Sequence, residues 1–224
     1  MSELEDQLKT TIEEKLKWDS RVDFSSIDIK IDEGKVKVMG KSPSLYEKKI
    51  VTQDIKEVPG VIDVKNDLEV KYPPLPKQEQ YTDEDLKKNV KIALELNVSI
   101  DATQIQAEVF NGIATLEGSV DAYWKKEIAE DVVSEVSGII DVVNKIIIIP
   151  TEDLIDQKIA ENIMATIDRF YNLDPDEIDL QVEEGEVKIM GKVDDWKAYQ
   201  AAMDAIRFTA GVKDIEDELE IKVM

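Results

Sequence analysis

Apolar residues recur every fourth position at the start of the chain, at Leu4, Leu8, Ile12 and Leu16, then every second position at Ile27, Ile29 and Ile31. The first period lines one face of a helix, and the second belongs to a half-buried strand. A turn at Asp32-Glu-Gly34 leads to a return strand carrying Val36 and Val38. A second helix over 45–58 follows, with Val51, Ile55 and Val58 on its buried stripe, and a last strand covers 61–70. The order is α-β-β-α-β.

The same order returns twice. Leu86, Val90 and Leu94 line a helix after the capping stretch Thr82-Asp-Glu-Asp, and Ile155, Ile159 and Ile163 line one after Thr151-Glu-Asp. The strands recur at Ile105, Ala107, Val109 and at Ile178, Leu180, Val182, and the second helices at 123–136 and 196–209. The glycines fix the register: Gly34, Gly40 and Gly60 are separated by six and twenty residues, with Asn66 six further on. Gly112, Gly118, Gly138 and Asn144 repeat that frame, as do Gly185, Gly191, Gly211 and Asp217. All nine glycines of the chain fall into it, so the sequence is an internal triplication.

The expected fold is therefore α+β, with three tandem units of two helices on one face of a three-stranded mixed sheet. The expected divisions are a first domain over 1–72, a Pro-rich linker over 73–82, a second domain over 83–149, a short link over 150–152 and a third domain over 153–224. The Pro73–Pro76 spacer predicts a loosely held first domain, and the short link at Pro150 predicts tight coupling of the other two. Gly34, Gly112 and Gly185 are expected in hairpin turns. Gly40, Gly118 and Gly191 are expected where strand gives way to helix. Gly60, Gly138 and Gly211 are expected as left-handed helix C-caps. Asn66, Asn144 and Asp217 interrupt the last strand for a bulge or a side-chain-to-backbone bond. Trp18 and Phe170 are expected to close the core at the ends of the first helices. Trp124 and Trp196 are expected to pack in the core rather than anchor in a membrane interface.

Composition narrows the chemistry. The chain has 224 residues and no cysteine or histidine, which removes disulfides, thiolate metal sites and the commonest general base. The formal charge of −22 argues against a nucleic-acid partner. It is shared unevenly: −3 over 1–82, −7 over 83–150 and −12 over 151–224. No apolar run is long enough to span a membrane. The opening Met-Ser-Glu-Leu has no basic and then apolar stretch, so the expected location is cytoplasmic as written, or periplasmic where an export signal has been removed. The stretch Asp174-Pro-Asp176-Glu177 lacks the glycine and distal glutamate of a calcium loop and reads as a helix-start turn. No catalytic residues, metal ligands or cofactor are expected.

The frame Gly34-Lys-Val36-Lys-Val38-Met-Gly40 followed by Gly60-Val61-Ile-Asp-Val64-Lys-Asn66, with its two repeats, resembles the BON domain. The position five after the second glycine, often Trp in that family, is Leu45, Tyr123 and Trp196 here. The resemblance implies a non-enzymatic binding or structural module of the kind found in osmotic-stress, transport-associated and outer-membrane proteins, with a phospholipid surface or another protein as partner. A cytoplasmic, cation-responsive module for potassium or a divalent ion is the alternative. Within the first domain, Lys35, Lys37 and Lys41 alternate along the return strand opposite Val36 and Val38, which places them on the uncovered sheet face as lipid-surface candidates.

Overall fold

The computed structural model describes residues 3–72, 81–151 and 154–222. The Pro73–Pro76 spacer and Glu152 of the short link lie outside them. Each domain is a first helix, a short 3-10 turn, a hairpin, a second helix and a third strand. In domain 1 these are α1 (Glu3–Trp18), β1 (Ile27–Asp32), β2 (Lys35–Ser42), α2 (Leu45–Lys56) and β3 (Asp63–Val70). Domain 2 has α3 (Asp83–Leu96), β4 (Ile105–Phe110), β5 (Ile113–Val120), α4 (Tyr123–Ser134) and β6 (Asp141–Ile148). Domain 3 has α5 (Asp156–Ile167), β7 (Ile178–Glu183), β8 (Glu186–Val193), α6 (Trp196–Arg207) and β9 (Asp214–Ile221). In every sheet the middle strand pairs antiparallel with the first and parallel with the third. The three-unit α+β fold is thus the one the periodicities predict.

The hairpins use two residues of positive φ. Glu33 and Gly34 stand at 47° and 78°, with Asn111-Gly112 and Glu184-Gly185 alike. That is the turn whose twist matches paired strands. Its amides are held by the first helix of the same domain: the Asp83 carboxylate accepts from Asn111 N at 2.8 Å and Gly112 N at 3.0 Å, and Asp156 does the same for Glu184 and Gly185 at 2.9 Å each. α3 begins with a reciprocal capping box between Thr82 and Asp85, as its sequence predicts.

Two glycine assignments change. Gly40, Gly118 and Gly191 lie inside the middle strand, which runs two residues further. A Cβ on Gly40 would stand 2.0 Å from Ser26 O, so glycine is needed where the 3-10 turn Phe24–Ser26 crosses the strand. Gly60 is not the residue that ends α2, because the helix stops at Lys56 with Glu57 as its cap. It is the third residue of a separate turn, Val58-Pro-Gly-Val61, closed by Val61 N donating to Val58 O at 3.2 Å. Its φ of 93° is what such a turn requires after proline.

Each domain has one apolar core. Ile12, Leu16, Ile29, Val38, Val51 and Ile55 centre the first, Val90, Leu116, Val133 and Ile146 the second, and Ile163, Ile189, Ala202 and Ile206 the third. The ends of the first helices depart from expectation. Leu4 and Ile155 are exposed, and Trp18 is 87% exposed because it lies past the last core-facing turn. Phe170 does pack against its core.

Candidate functional site

The helices leave one face of each sheet open, and the three open faces differ. In domain 1, Lys35, Lys37 and Lys41 project from β2 on that face, as alternation predicts. Lys30 and Lys65 flank Lys37 across the sheet. Five lysines in all meet five carboxylates there: Asp28, Asp32, Asp63, Asp67 and Glu69. Lys37 pairs with Asp67 at 3.2 Å, while Lys35 and Lys41 make no ion pair among the described residues. The face is charged but balanced. In domain 3 the face is acidic, and Lys188 is clamped between Glu216 at 3.0 Å and Glu218 at 2.5 Å, which raises its pKa. In domain 2 Phe110, Val143, Ile147 and Ile149 are exposed, and Lys145 pairs with Glu117 at 3.2 Å.

The strand-interrupting residues hold the second helix to the third strand. Asn66 Nδ2 donates to Lys48 O at 2.9 Å, and its Oδ1 accepts from Leu68 N at 3.0 Å. Asn144 repeats this with Lys126 O at 2.9 Å and Ile146 N at 3.2 Å. Asp217 keeps the acceptor half, from Leu219 N at 3.0 Å, but an ionised carboxylate has no hydrogen to give. The Tyr199 hydroxyl, at the place of Lys48 and Lys126, donates to Asp217 instead. Burial, then this bond to a carboxylate, hold the Tyr199 hydroxyl well above the usual phenol range.

The domains are not independent. Leu45 opens α2 of domain 1, yet it is buried in the core of domain 2. Tyr123, its counterpart in domain 2, packs against the core of domain 3 as well as its own. Trp196, the counterpart in domain 3, packs against the core of domain 1. One position therefore reaches from each domain into the next, and the third contact returns to the first. Head-to-tail contacts that close in this way form a ring. This corrects two expectations: Trp196 packs in a core that is not its own, and domain 1 is docked on both neighbours.

Polar contacts follow the same seams. Between domains 1 and 2, Lys49 pairs with Asp131 at 2.9 Å and the Tyr72 hydroxyl donates to Ile139 O at 3.0 Å. Between domains 2 and 3, Arg207 Nε lies 3.1 Å from Glu127 Oε1. Burial pushes the Glu127 carboxyl up, and Arg207 opposes it. Between domains 3 and 1, Lys56 Nζ sits 4.1 Å from the centroid of the Trp196 ring and 6.0 Å from that of Tyr199. Burial pushes the Lys56 pKa down.

A separate cluster lies at the end of α1. Asp54 is buried, and its Oδ2 has no hydrogen-bond partner. Burial, then the neighbouring Asp19, raise its pKa to about 6, against Lys15 at 4.0 Å and Arg21 at 3.9 Å. Among the described residues no group of carboxylates is arranged to hold a metal ion, and no helix is long and apolar enough to cross a membrane. Sequence reading named Leu45 only as the counterpart of Tyr123 and Trp196 and did not single out Lys56, Tyr199 or Asp54; Trp196, Asp217 and the −12 charge were what set domain 3 apart.

Comparison with known proteins adds the following. The family profile described as BON domain matches residues 5–72, 82–150 and 155–223. No curated protein matches the chain. Among solved structures, a chain titled as structural studies of CdsD, a structural protein of the type III secretion system of Chlamydia trachomatis, is similar at 14% identity, with 96% of this chain and 92% of that one covered and a TM-score of 0.26. A second, titled as the C-terminal domain of the same protein, aligns at 13% identity over 99% and 98% of the two chains, with a TM-score of 0.26.

Proposed function

The chain belongs to the BON domain family, and from that premise we propose that it is a non-catalytic binding and structural protein working at a phospholipid or envelope surface in a stress response. With neither histidine nor cysteine, the chain lacks the commonest general base and the thiolate nucleophile. What carries the lipid reading is the open face of domain 1. Each acidic residue near an anionic bilayer costs about as much as a basic one gains, about 1 kcal/mol. The acidic face of domain 3 is repelled on that reckoning. The balanced face of domain 1 is not, and Lys35 and Lys41 are free to reach phosphates.

The test is co-sedimentation of the whole chain with anionic and zwitterionic vesicles at low salt, beside a Lys35→Gln, Lys37→Gln, Lys41→Gln variant. Anionic vesicles should retain the native chain and release the variant. No retention, or equal retention of both, would end the lipid reading. The alternative, a cation-responsive module, draws on the surplus carboxylates around Lys188. Titration with potassium, calcium and magnesium, followed by signals from domain 3, decides it.

A further inference from the structure

Three departures from the repeat meet at one spot. Domains 1 and 2 carry Leu45, Lys48 and Asn66, and Tyr123, Lys126 and Asn144, where domain 3 carries Trp196, Tyr199 and Asp217. The α-β-β-α-β unit does not require these three residue types, since the other copies build the same helix and strand with different ones. In domain 3 they touch. The Trp196 and Tyr199 rings meet edge to face with centroids 4.8 Å apart, and Asp217 accepts the Tyr199 hydroxyl.

A cation from another domain fills this corner. Lys56 of domain 1 points its ammonium at both rings, attracted by the charges of Asp63 and Asp217 and opposed by that of Arg207. Among the described residues the Lys56 ammonium makes no hydrogen bond or ion pair. Across the seam between domains 3 and 1, no carboxylate and cation among the described residues lie within 4.0 Å of each other, and Glu57 and Lys197 attract only at longer range; the other seams have Lys49–Asp131 and Glu127–Arg207. Adjacent aromatic faces with a carboxylate behind them are how proteins hold organic ammonium groups.

We propose that Trp196, Tyr199 and Asp217 form a binding site for a methylated ammonium group, and that Lys56 is its resident occupant in the closed ring. A primary ammonium loses three hydrogen bonds to water when it enters such a corner. A methylated one has fewer to lose, so it competes with Lys56 and releases domain 1 from domain 3. The site takes this group whether it comes from a free solute or from a choline headgroup. It does not depend on the lysines of the domain 1 sheet face.

The test uses the full chain with Trp18→Phe and Trp124→Phe, which leaves Trp196 as the fluorescent reporter. Tetramethylammonium chloride is titrated at constant ionic strength into this protein and into its Lys56→Met form. Choline chloride and phosphatidylcholine vesicles serve as parallel arms that separate a free solute from a headgroup. Saturable change in Trp196 emission is expected, with a midpoint about tenfold lower once Lys56 is removed. Adding Tyr199→Leu should abolish it, and scattering should show the Lys56 protein expanding as it binds. A single cooperative melt of the Lys56→Met form confirms that it folds, and Lys56→Gln replaces it otherwise. The proposal is overturned by an absence of saturation, by equal midpoints with and without Lys56, or by an equal response to potassium chloride.

Discussion

Tyr199 donates its hydroxyl hydrogen to Asp217, one residue on a helix and the other on the strand beside it. The other two domains make the same helix-to-strand tie with an asparagine amide and a main-chain carbonyl. The tie has been kept while both of its partners changed, and this is open to test by exchange.

Tyr199→Phe should destabilise domain 3 by about 1 kcal/mol, the usual worth of such a bond. Asp217→Asn combined with Tyr199→Phe restores the amide-to-carbonyl tie used by the other domains and should recover part of that loss. Thermal melts of the single and double variants form the cycle. Additive losses would mean that the two side chains do not act together.

Two classes of glycine should separate by cost. Gly60→Ala brings its new methyl no closer than 3.7 Å to Leu8, so it should cost only the positive-φ penalty of about 1–2 kcal/mol. Gly40→Ala collides with a backbone oxygen at 2.0 Å and should cost considerably more. Chemical denaturation of the two variants orders them. The reverse order would remove the crossing of the 3-10 turn over β2 as the reason for Gly40.

Asp54 should give acid-side behaviour opposite to that of most carboxylates. Its folded pKa, raised from 3.8 to about 6, means that the folded chain holds this proton more tightly than the unfolded one. The resulting stability is complete below the unfolded value and is lost as pH rises through about 6. Asp19, lowered chiefly by its bond to Arg21, works in the opposite sense and loses its contribution in acid. Asp54→Asn should therefore stabilise the chain at neutral pH, by on the order of 1 kcal/mol, and not at pH 4. Melts at several pH values check this, and a gain that does not change with pH would contradict it.

The ring makes a prediction across domains. Leu45→Ala lies in domain 1 but empties space in the core of domain 2, and should cost about 2–4 kcal/mol. Amide exchange should quicken in α4 and β6 of domain 2 more than in β1 of domain 1. If the faster exchange stays within domain 1, the seam is not formed in solution.

These residues show what the sequence could and could not reveal. Gly34 was readable because a tight hairpin leaves a glycine between two alternating strands. Gly60 was misplaced because helix caps and type II turns both demand positive φ; Pro59 was the signal that separated them. The faces of Lys35, Lys37 and Lys41 followed from strand parity. The carboxylates opposite them lie on strands joined only through the fold. Leu45 and Trp196 could not be assigned to a core, because an apolar residue at a helix start looks the same whether it enters its own domain or the next. The Tyr199–Asp217 pair is eighteen residues apart and exists only in space.

The closed order of the seams changes what a truncation does. In an open stack of three repeats, deleting an end unit removes one junction, and the end units must carry special outer surfaces as caps. Here each unit has two neighbours, so there is no end unit to cap. Deleting any one of the three removes two junctions and bares an apolar side chain that was lodged in, or received from, the missing unit. Domains 1 and 2, cut free together, would expose the part of the domain 1 core that Trp196 covers. Such a pair would be expected to recruit a substitute, from a second molecule if necessary, to complete the circle.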